Sequence, residues 1–164
     1  ALDLEADPRW VKETIGKQIE SNEQQLYFLG TSLGGFYAWY FGAITKRPAF
    51  LYNPSMKPHI TLDDRGVGHF KTWTKGRDYH FKASFLPVLE EMAEEAKSKQ
   101  VQSNMNFFLA TDDDVLDHSA LAGDYPAANY LEWFDNVGHR FSTFADTMRI
   151  LEELMEGYEG FNLV

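Results

Sequence analysis

Apolar positions along the chain switch between helical and strand spacing, and the switches mark the elements. Trp10, Val11, Thr14, Ile15, Gln18 and Ile19 recur at helical spacing and share one face of a helix that begins at Pro8. Asp7-Pro8 supplies a capping side chain followed by the proline favoured in a first helical turn, and the helix is expected to end near Ser21-Asn22. Leu26-Tyr27-Phe28-Leu29 is a short apolar run closed by Gly30, the pattern of a parallel strand covered on both faces. From Leu33 to about Gly42 the residues are small or aromatic, which suits a buried helix packed closely on a sheet. Ala49-Phe50-Leu51-Tyr52 is the next strand, stopped by Asn53-Pro54.

Residues 55–80 break the rhythm. Pro58, Gly66, Gly68 and Gly76 punctuate them, and Phe70, Trp73 and Tyr79 follow no clear period, so a long loop or small cap is expected. Phe85 to Lys99 is again amphipathic, with Leu86, Leu89, Met92, Ala93 and Ala96 inward and Glu90, Glu91, Glu94 and Glu95 outward. Met105–Ala110 and Tyr130–Phe134 read as two further strands, with a short helix around His118–Ala122 between them. Phe144 to Tyr158 reads as a final helix with Met148, Leu151, Leu154 and Met155 inward. Helices alternating with apolar strands predict a single α/β domain over residues 1–164, a three-layer sandwich around a mainly parallel sheet.

Composition narrows the function. The 164 residues carry a net charge of −10, which disfavours nucleic acid or an anionic membrane surface as partner. No run approaches the ~20 apolar residues of a membrane-spanning helix, and no basic-then-apolar signal pattern opens the chain. The absence of Cys removes thiol nucleophiles, thiolate metal sites and disulfides, and is compatible with the cytoplasmic location we expect.

The sharpest chemical signal is Gly30-Thr31-Ser32-Leu33-Gly34, a Gly-x-Ser-x-Gly between a strand and a helix. A serine in that turn projects its hydroxyl away from the backbone, and small flanking residues let chain and substrate approach closely. The Leu33 N–H, at the start of the helix, is placed to donate to an oxyanion. Serine needs a histidine base and an orienting carboxylate to become a nucleophile. His139 follows the Tyr130–Phe134 strand and precedes the last helix, the position of the base when the chain order is serine, acid, histidine. Asp113 is the preferred acid in Thr111-Asp112-Asp113-Asp114-Val115-Leu116-Asp117-His118, with Asp112 and Asp114 as alternatives. A rival reading groups Asp112, Asp114, Asp117 and His118 as a divalent-cation site, although the spacing lacks the Gly and distal Glu of an EF-hand. Tyr37, from the aromatic group around the turn, and Asn53, at the stop of its strand, are the expected substrate contacts.

Four segments together resemble the small YqiA-like esterases of the α/β-hydrolase superfamily. They are the run from Tyr27 through Gly30-Thr31-Ser32-Leu33-Gly34-Gly35 to Ala38, the run Phe50–Pro58 with its Asn53-Pro54, Thr111–Asp117, and Gly138-His139-Arg140-Phe141. The resemblance implies Ser32 as nucleophile, Asp113 as acid, His139 as base, and hydrolysis of short carboxylic esters or thioesters without a cofactor or metal. It departs at the front: the family's opening strand and His-Gly-Phe-like turn, which lends a second oxyanion donor, have no counterpart in the 31 residues before Ser32. The expectation is therefore a longer parent chain, or a protein partner, that completes the sheet; the alternative function is a non-catalytic module that keeps the fold for binding or assembly.

Overall fold

A computed structural model of the protein describes residues 4–22, 26–65, 67–71, 76 and 78–159. In chain order the elements are α1 (Pro8–Glu20), β1 (Phe28–Thr31), α2 (Leu33–Thr45), β2 (Ala49–Tyr52), α3 (Pro58–Arg65), β3 (Gly68–Lys71), β4 (Asp78–Phe81), α4 (Leu86–Lys99), β5 (Met105–Ala110), α5 (Leu121–Asp124), β6 (Tyr130–Phe134) and α6 (Met148–Glu159). Single turns of 3₁₀ helix, Ala83–Phe85 and Phe144–Thr147, lead into α4 and α6.

β1, β2, β5 and β6 form one parallel sheet in the order β1-β2-β5-β6. Every residue of β2 and β5 is buried, as their unbroken apolar runs require. Alternate side chains divide the interior into two layers. Leu51, Phe107 and Leu109 meet α2 and α4 on one face, while Phe50, Tyr52 and Phe108 meet Leu151 of α6 on the other. The expected three-layer α/β sandwich is thus present. β1 differs from the strand expected to be covered on both faces: it begins at Phe28 rather than Leu26, it pairs only with β2 among the described strands, and Leu29 is 48% exposed. The apolar cluster on the Leu29 side takes in side chains of β2, β5 and β6 and Tyr27, but not Leu29 itself.

The helix termini follow the local chemistry. Asp7 caps α1 by accepting the Arg9 amide hydrogen at 2.9 Å, with Pro8 in the first turn. Val11 is fully buried, whereas Trp10 stays 41% exposed and Gln18 is exposed, so the buried stripe of α1 is narrower than its apolar spacing suggests. Met148 is likewise exposed at the start of α6. On α4, Glu90, Glu91 and Glu94 face out as expected, but Glu95 turns inward. It accepts from Lys12 at 2.9 Å, Tyr40 at 2.7 Å and Lys99 at 2.7 Å, stapling α1, α2 and α4 together. The bonds from Lys99, Tyr40 and Lys12 outweigh burial and hold its carboxyl down at about 2.

Residues 55–80 are more regular than the expected long loop. They contain α3 and an antiparallel ribbon in which β3 pairs with β4. Phe70 and Tyr79 point from the ribbon to the main core, while His69 and His80 stack on the exposed side with ring centroids 4.2 Å apart. The alternation is real but spans only four residues per strand, too few for the period to stand out in the sequence. Gly66 and Trp73 lie outside the described residues.

Three glycines let α2 sit directly on the sheet; a Cβ on Gly42 would lie 2.8 Å from the Ala49 Cβ of β2. A Cβ on Gly30 would overlap the carbonyl of Gly34, and one on Gly35 would lie 3.0 Å from both Cα and Cβ of Pro54. Gly34, expected from the motif to be needed for close approach, meets nothing within 4 Å. Gly30→Ala should therefore lower the melting temperature by many degrees or prevent folding. Gly34→Ala should leave it unchanged or raise it, since alanine is favoured over glycine in a helix by about 0.5–1 kcal/mol; thermal melts by circular dichroism compare the two.

Glu95 supplies a second test, read as stability against pH. A carboxyl held below its ordinary value stabilises the fold above pH 4.5 and loses that contribution as pH falls toward about 2. Glu95→Gln should melt below the wild type at neutral pH, and the gap between the two should close steadily across that acid window.

Candidate active site

The loops at the C-terminal ends of the four parallel strands converge. β1 runs into Ser32, whose backbone sits at φ 54° and ψ −122°, outside the regions an L-residue prefers. Three hydrogen bonds hold it there. Its N–H donates to the Tyr52 carbonyl at 3.1 Å, and its own carbonyl accepts from Phe36 N at 3.1 Å and Ser55 N at 3.0 Å. The strained backbone turns the side chain away from the sheet, and α2 begins at the next residue. As the first residue of α2, Leu33 has an N–H with no carbonyl one helical turn behind it.

His139 reaches this serine from the loop after β6. Its Nε2 lies 2.9 Å from Ser32 Oγ, and its Nδ1 lies 2.9 and 2.8 Å from the two carboxylate oxygens of Asp113. An ionised carboxylate only accepts, so Nδ1 carries the hydrogen and Nε2 is left to accept from the serine hydroxyl. The His139 side chain is 16% exposed and that of Asp113 only 2%. Burial by itself would raise the Asp113 carboxyl. Hydrogen bonds from His139, the Leu116 and Val115 amides and His118 outweigh it and keep the group below the usual carboxylate range.

The structure separates the neighbouring acids. Asp112 Oδ1 accepts the amide hydrogens of Val137 at 3.2 Å and Gly138 at 3.0 Å, latching the histidine loop to the end of β5. Asp117 Oδ1 accepts Ser119 N at 2.9 Å, a local turn. Asp114 faces out. Among the described residues no group of three or more His, Asp and Glu side chains is disposed to hold a metal ion, so the rival cation grouping of Asp112, Asp114, Asp117 and His118 is not assembled. A cavity of about 450 Å³ opens beside this loop, lined by Asp113 and His118 together with Thr111, Asp114, Asp117 and Trp133; neither Ser32 nor His139 borders it.

The two expected substrate contacts lie beneath the surface instead. Asn53 is fully buried at φ 42°. Its Oδ1 accepts Ala110 N at 2.7 Å, while Nδ2 donates to the carbonyls of Gly138 at 3.0 Å and His139 at 2.9 Å. All its side-chain capacity goes into tying the ends of β2 and β5 to the histidine loop. Tyr37 is 4% exposed, its ring packs on Phe36, and its hydroxyl has no hydrogen-bond partner among the described residues. Burial first, and the charge of Asp7 second, push that hydroxyl's ionisation well above the ordinary tyrosine value. Asn53, Asp112 and His118 thus serve in ways the sequence pattern did not separate; the stop of an apolar strand at Asn-Pro was the one available signal for the first.

The comparisons agree with this architecture. Est1E from Butyrivibrio proteoclasticus, in a structure with bound ferulic acid, superposes with a TM-score of 0.64 at 14% identity, covering 94% of this chain and 69% of that one. A structure described as LipS and LipT, two metagenome-derived lipolytic enzymes, gives 0.59 at 14% identity, covering 96% and 74%. The esterase domain of a Rhodothermus marinus protein gives 0.55 at 19% identity, covering 92% and 65%. These neighbours are esterases of the α/β-hydrolase superfamily, and the likeness establishes that fold for this chain. No curated protein matches it in sequence. The family model described as Uncharacterised protein family UPF0227 matches residues 1–156, nearly the whole chain, and the protein belongs to that family.

Proposed function

We propose that the protein is a serine hydrolase of small carboxylic esters or thioesters, acting through Ser32, His139 and Asp113. The observation that carries this reading is the unbroken chain from Ser32 Oγ to His139 Nε2, 2.9 Å, and from His139 Nδ1 to Asp113, 2.8 Å. His139 Nε2 takes the hydroxyl proton as Ser32 Oγ bonds to the acyl carbon. The carbonyl oxygen gains the negative charge and accepts from Leu33 N–H. Collapse breaks the bond to the leaving alkoxide or thiolate, which receives the proton from His139 and departs. Water then gives its proton to His139 and attacks the acyl-serine; release of the acid returns the proton to Ser32. No step requires a cofactor. Buried Asp113 stays ionised throughout and stabilises the imidazolium that forms twice in the cycle.

The surface charge of −10 supports an uncharged or cationic substrate over a polyanion. Among the described residues no helix is long and apolar enough to cross a membrane. A cytoplasmic setting is compatible with that and with the absence of cysteine. The assembled serine, histidine and aspartate favour an enzyme over a binding module, since a scaffold has no use for a strained serine aimed at a buried histidine–carboxylate pair.

Ser32→Ala should abolish both fluorophosphonate labelling and hydrolysis of short p-nitrophenyl esters while changing the melting temperature little. Asp113→Asn should lower kcat on the order of 10⁴-fold, because an amide hydrogen facing His139 Nδ1 imposes the wrong tautomer. Asp112→Asn keeps the oxygen that accepts from Val137 and Gly138, and Asp114→Asn alters only a surface charge. Both should retain most activity in steady-state assays; equal losses for all three aspartates would overturn Asp113 as the acid.

A further inference from the structure

We propose that His118 is a positioning residue for Asp113: its Nε2–H holds the carboxylate in the orientation that serves His139. The assignment rests on the Ser32–His139–Asp113 reading above. His118 is 5% exposed, the one buried polar residue of this loop apart from the half-buried Asp113. Its Nε2 lies 3.0 Å from Asp113 Oδ2.

The donors to Asp113 are divided unequally. Oδ1 takes the Val115 and Leu116 amides at 2.8 and 2.9 Å as well as His139 Nδ1, so the backbone pins that oxygen. Among the described residues Oδ2 receives no backbone hydrogen bond, and its donors are His139 Nδ1 at 2.8 Å and His118 Nε2 at 3.0 Å. Without His118, the oxygen nearer the base would keep one donor among the described residues, and rotation of the carboxyl about its last bond would be opposed from one side only.

The residue type matters as well as the hydrogen bond. A lysine or arginine here would place a permanent cation beside His139 and oppose its protonation. A neutral imidazole donates without adding charge. Burial lowers His118's affinity for a second proton, against the opposing pull of Asp113, so at neutral pH the ring is uncharged with its hydrogen on Nε2. The titratable groups facing it are Asp113 and Asp117 from its own loop and His139 from the loop after β6; Asp114 stands on the rim of the adjoining cavity. The backbone around it is anchored, with the His118 carbonyl accepting Leu121 N at 3.0 Å where α5 begins.

The test compares His118→Leu, which removes the donor, with His118→Gln, which keeps an N–H at similar reach. p-Nitrophenyl acetate hydrolysis and fluorophosphonate labelling are followed from about pH 5 to 9, bracketing the ordinary histidine range. For His118→Leu, kcat should fall about tenfold or more, the scale of one lost hydrogen bond to a charged group, with KM nearly unchanged. The acid limb of its kcat/KM profile should move to higher pH, because a carboxylate with one donor fewer holds the imidazolium of His139 more strongly. His118→Gln should recover most of the rate and return the limb. If His118→Leu does not fold, ¹⁵N spectra of the wild-type histidine rings decide: a proton on His118 Nε2 near neutral pH is required. A proton on Nδ1, a wild-type profile in His118→Leu, or a His118→Gln no better than His118→Leu would each overturn the proposal. Persistent hydrolysis by Ser32→Ala would bring down the triad and this assignment together, whereas an inactive Ser32→Ala beside a wild-type-like His118→Leu would remove only the latter.

Discussion

A carboxylate buried to 2% exposure has to be surrounded by donors, and satisfying Asp113 organises the loops at the C-terminal edge of the sheet. Its own loop curls so that the Val115 and Leu116 amides point back at Oδ1. His118 is drawn in from five residues further along, and His139 from the far side of β6. Because the second histidine nitrogen then faces Ser32, the same requirement that keeps the charge solvated by protein groups also aligns the proposed base with the proposed nucleophile. Asp113 is therefore the centre of a hydrogen-bond shell drawn from two loops, and the proposed chemistry is one consequence of that arrangement.

The loops that meet there are held at a conformational cost. Ser32, Asn53, Asn136 and Phe141 all have positive φ, a cost of order 1–3 kcal/mol each, and all lie at the C-terminal ends of the sheet strands or in the loop that bears His139. Asn53 offsets much of it. One buried amide side chain satisfies a strand-end N–H from β5 and two carbonyls of the histidine loop, so three segments distant in sequence share a single anchor. Asp112 adds a second tie between the same two loops. The other end of the machine is equally constrained: Glu95 fastens α2 to α1 and α4, and α2 is the helix whose first turn carries the serine.

Most of the element order was legible from hydrophobic period. The two central strands, β2 and β5, fall on the expected residues because both of their faces are buried and nothing polar interrupts the run, apart from Asn106, whose amide is bonded within the interior. The α3–ribbon segment was not legible, since its strands are four residues long and half exposed. β1 was misjudged in the opposite sense: its apolar composition is that of a covered strand, yet it lies at one end of the described sheet. Composition reports what a strand tolerates on its faces, and says nothing of how many neighbours it has.

The same division holds at the site. Gly30-Thr31-Ser32-Leu33-Gly34 between a strand and a helix determined the serine's place, because the turn that exposes the hydroxyl is a local conformation with local steric demands. Chain order narrowed the proposed base to His139 and the proposed acid to a run of adjacent aspartates. Which aspartate faces the histidine, which one latches its loop, that Gly35 rather than Gly34 meets Pro54, that Asn53 lies beneath the cleft instead of lining it, and that His118 closes the shell around Asp113 were decided only by tertiary structure. Neighbouring residues of one loop have the same composition and nearly the same local propensities; they differ only in direction, and direction is set by contacts with strands and loops far away in the chain.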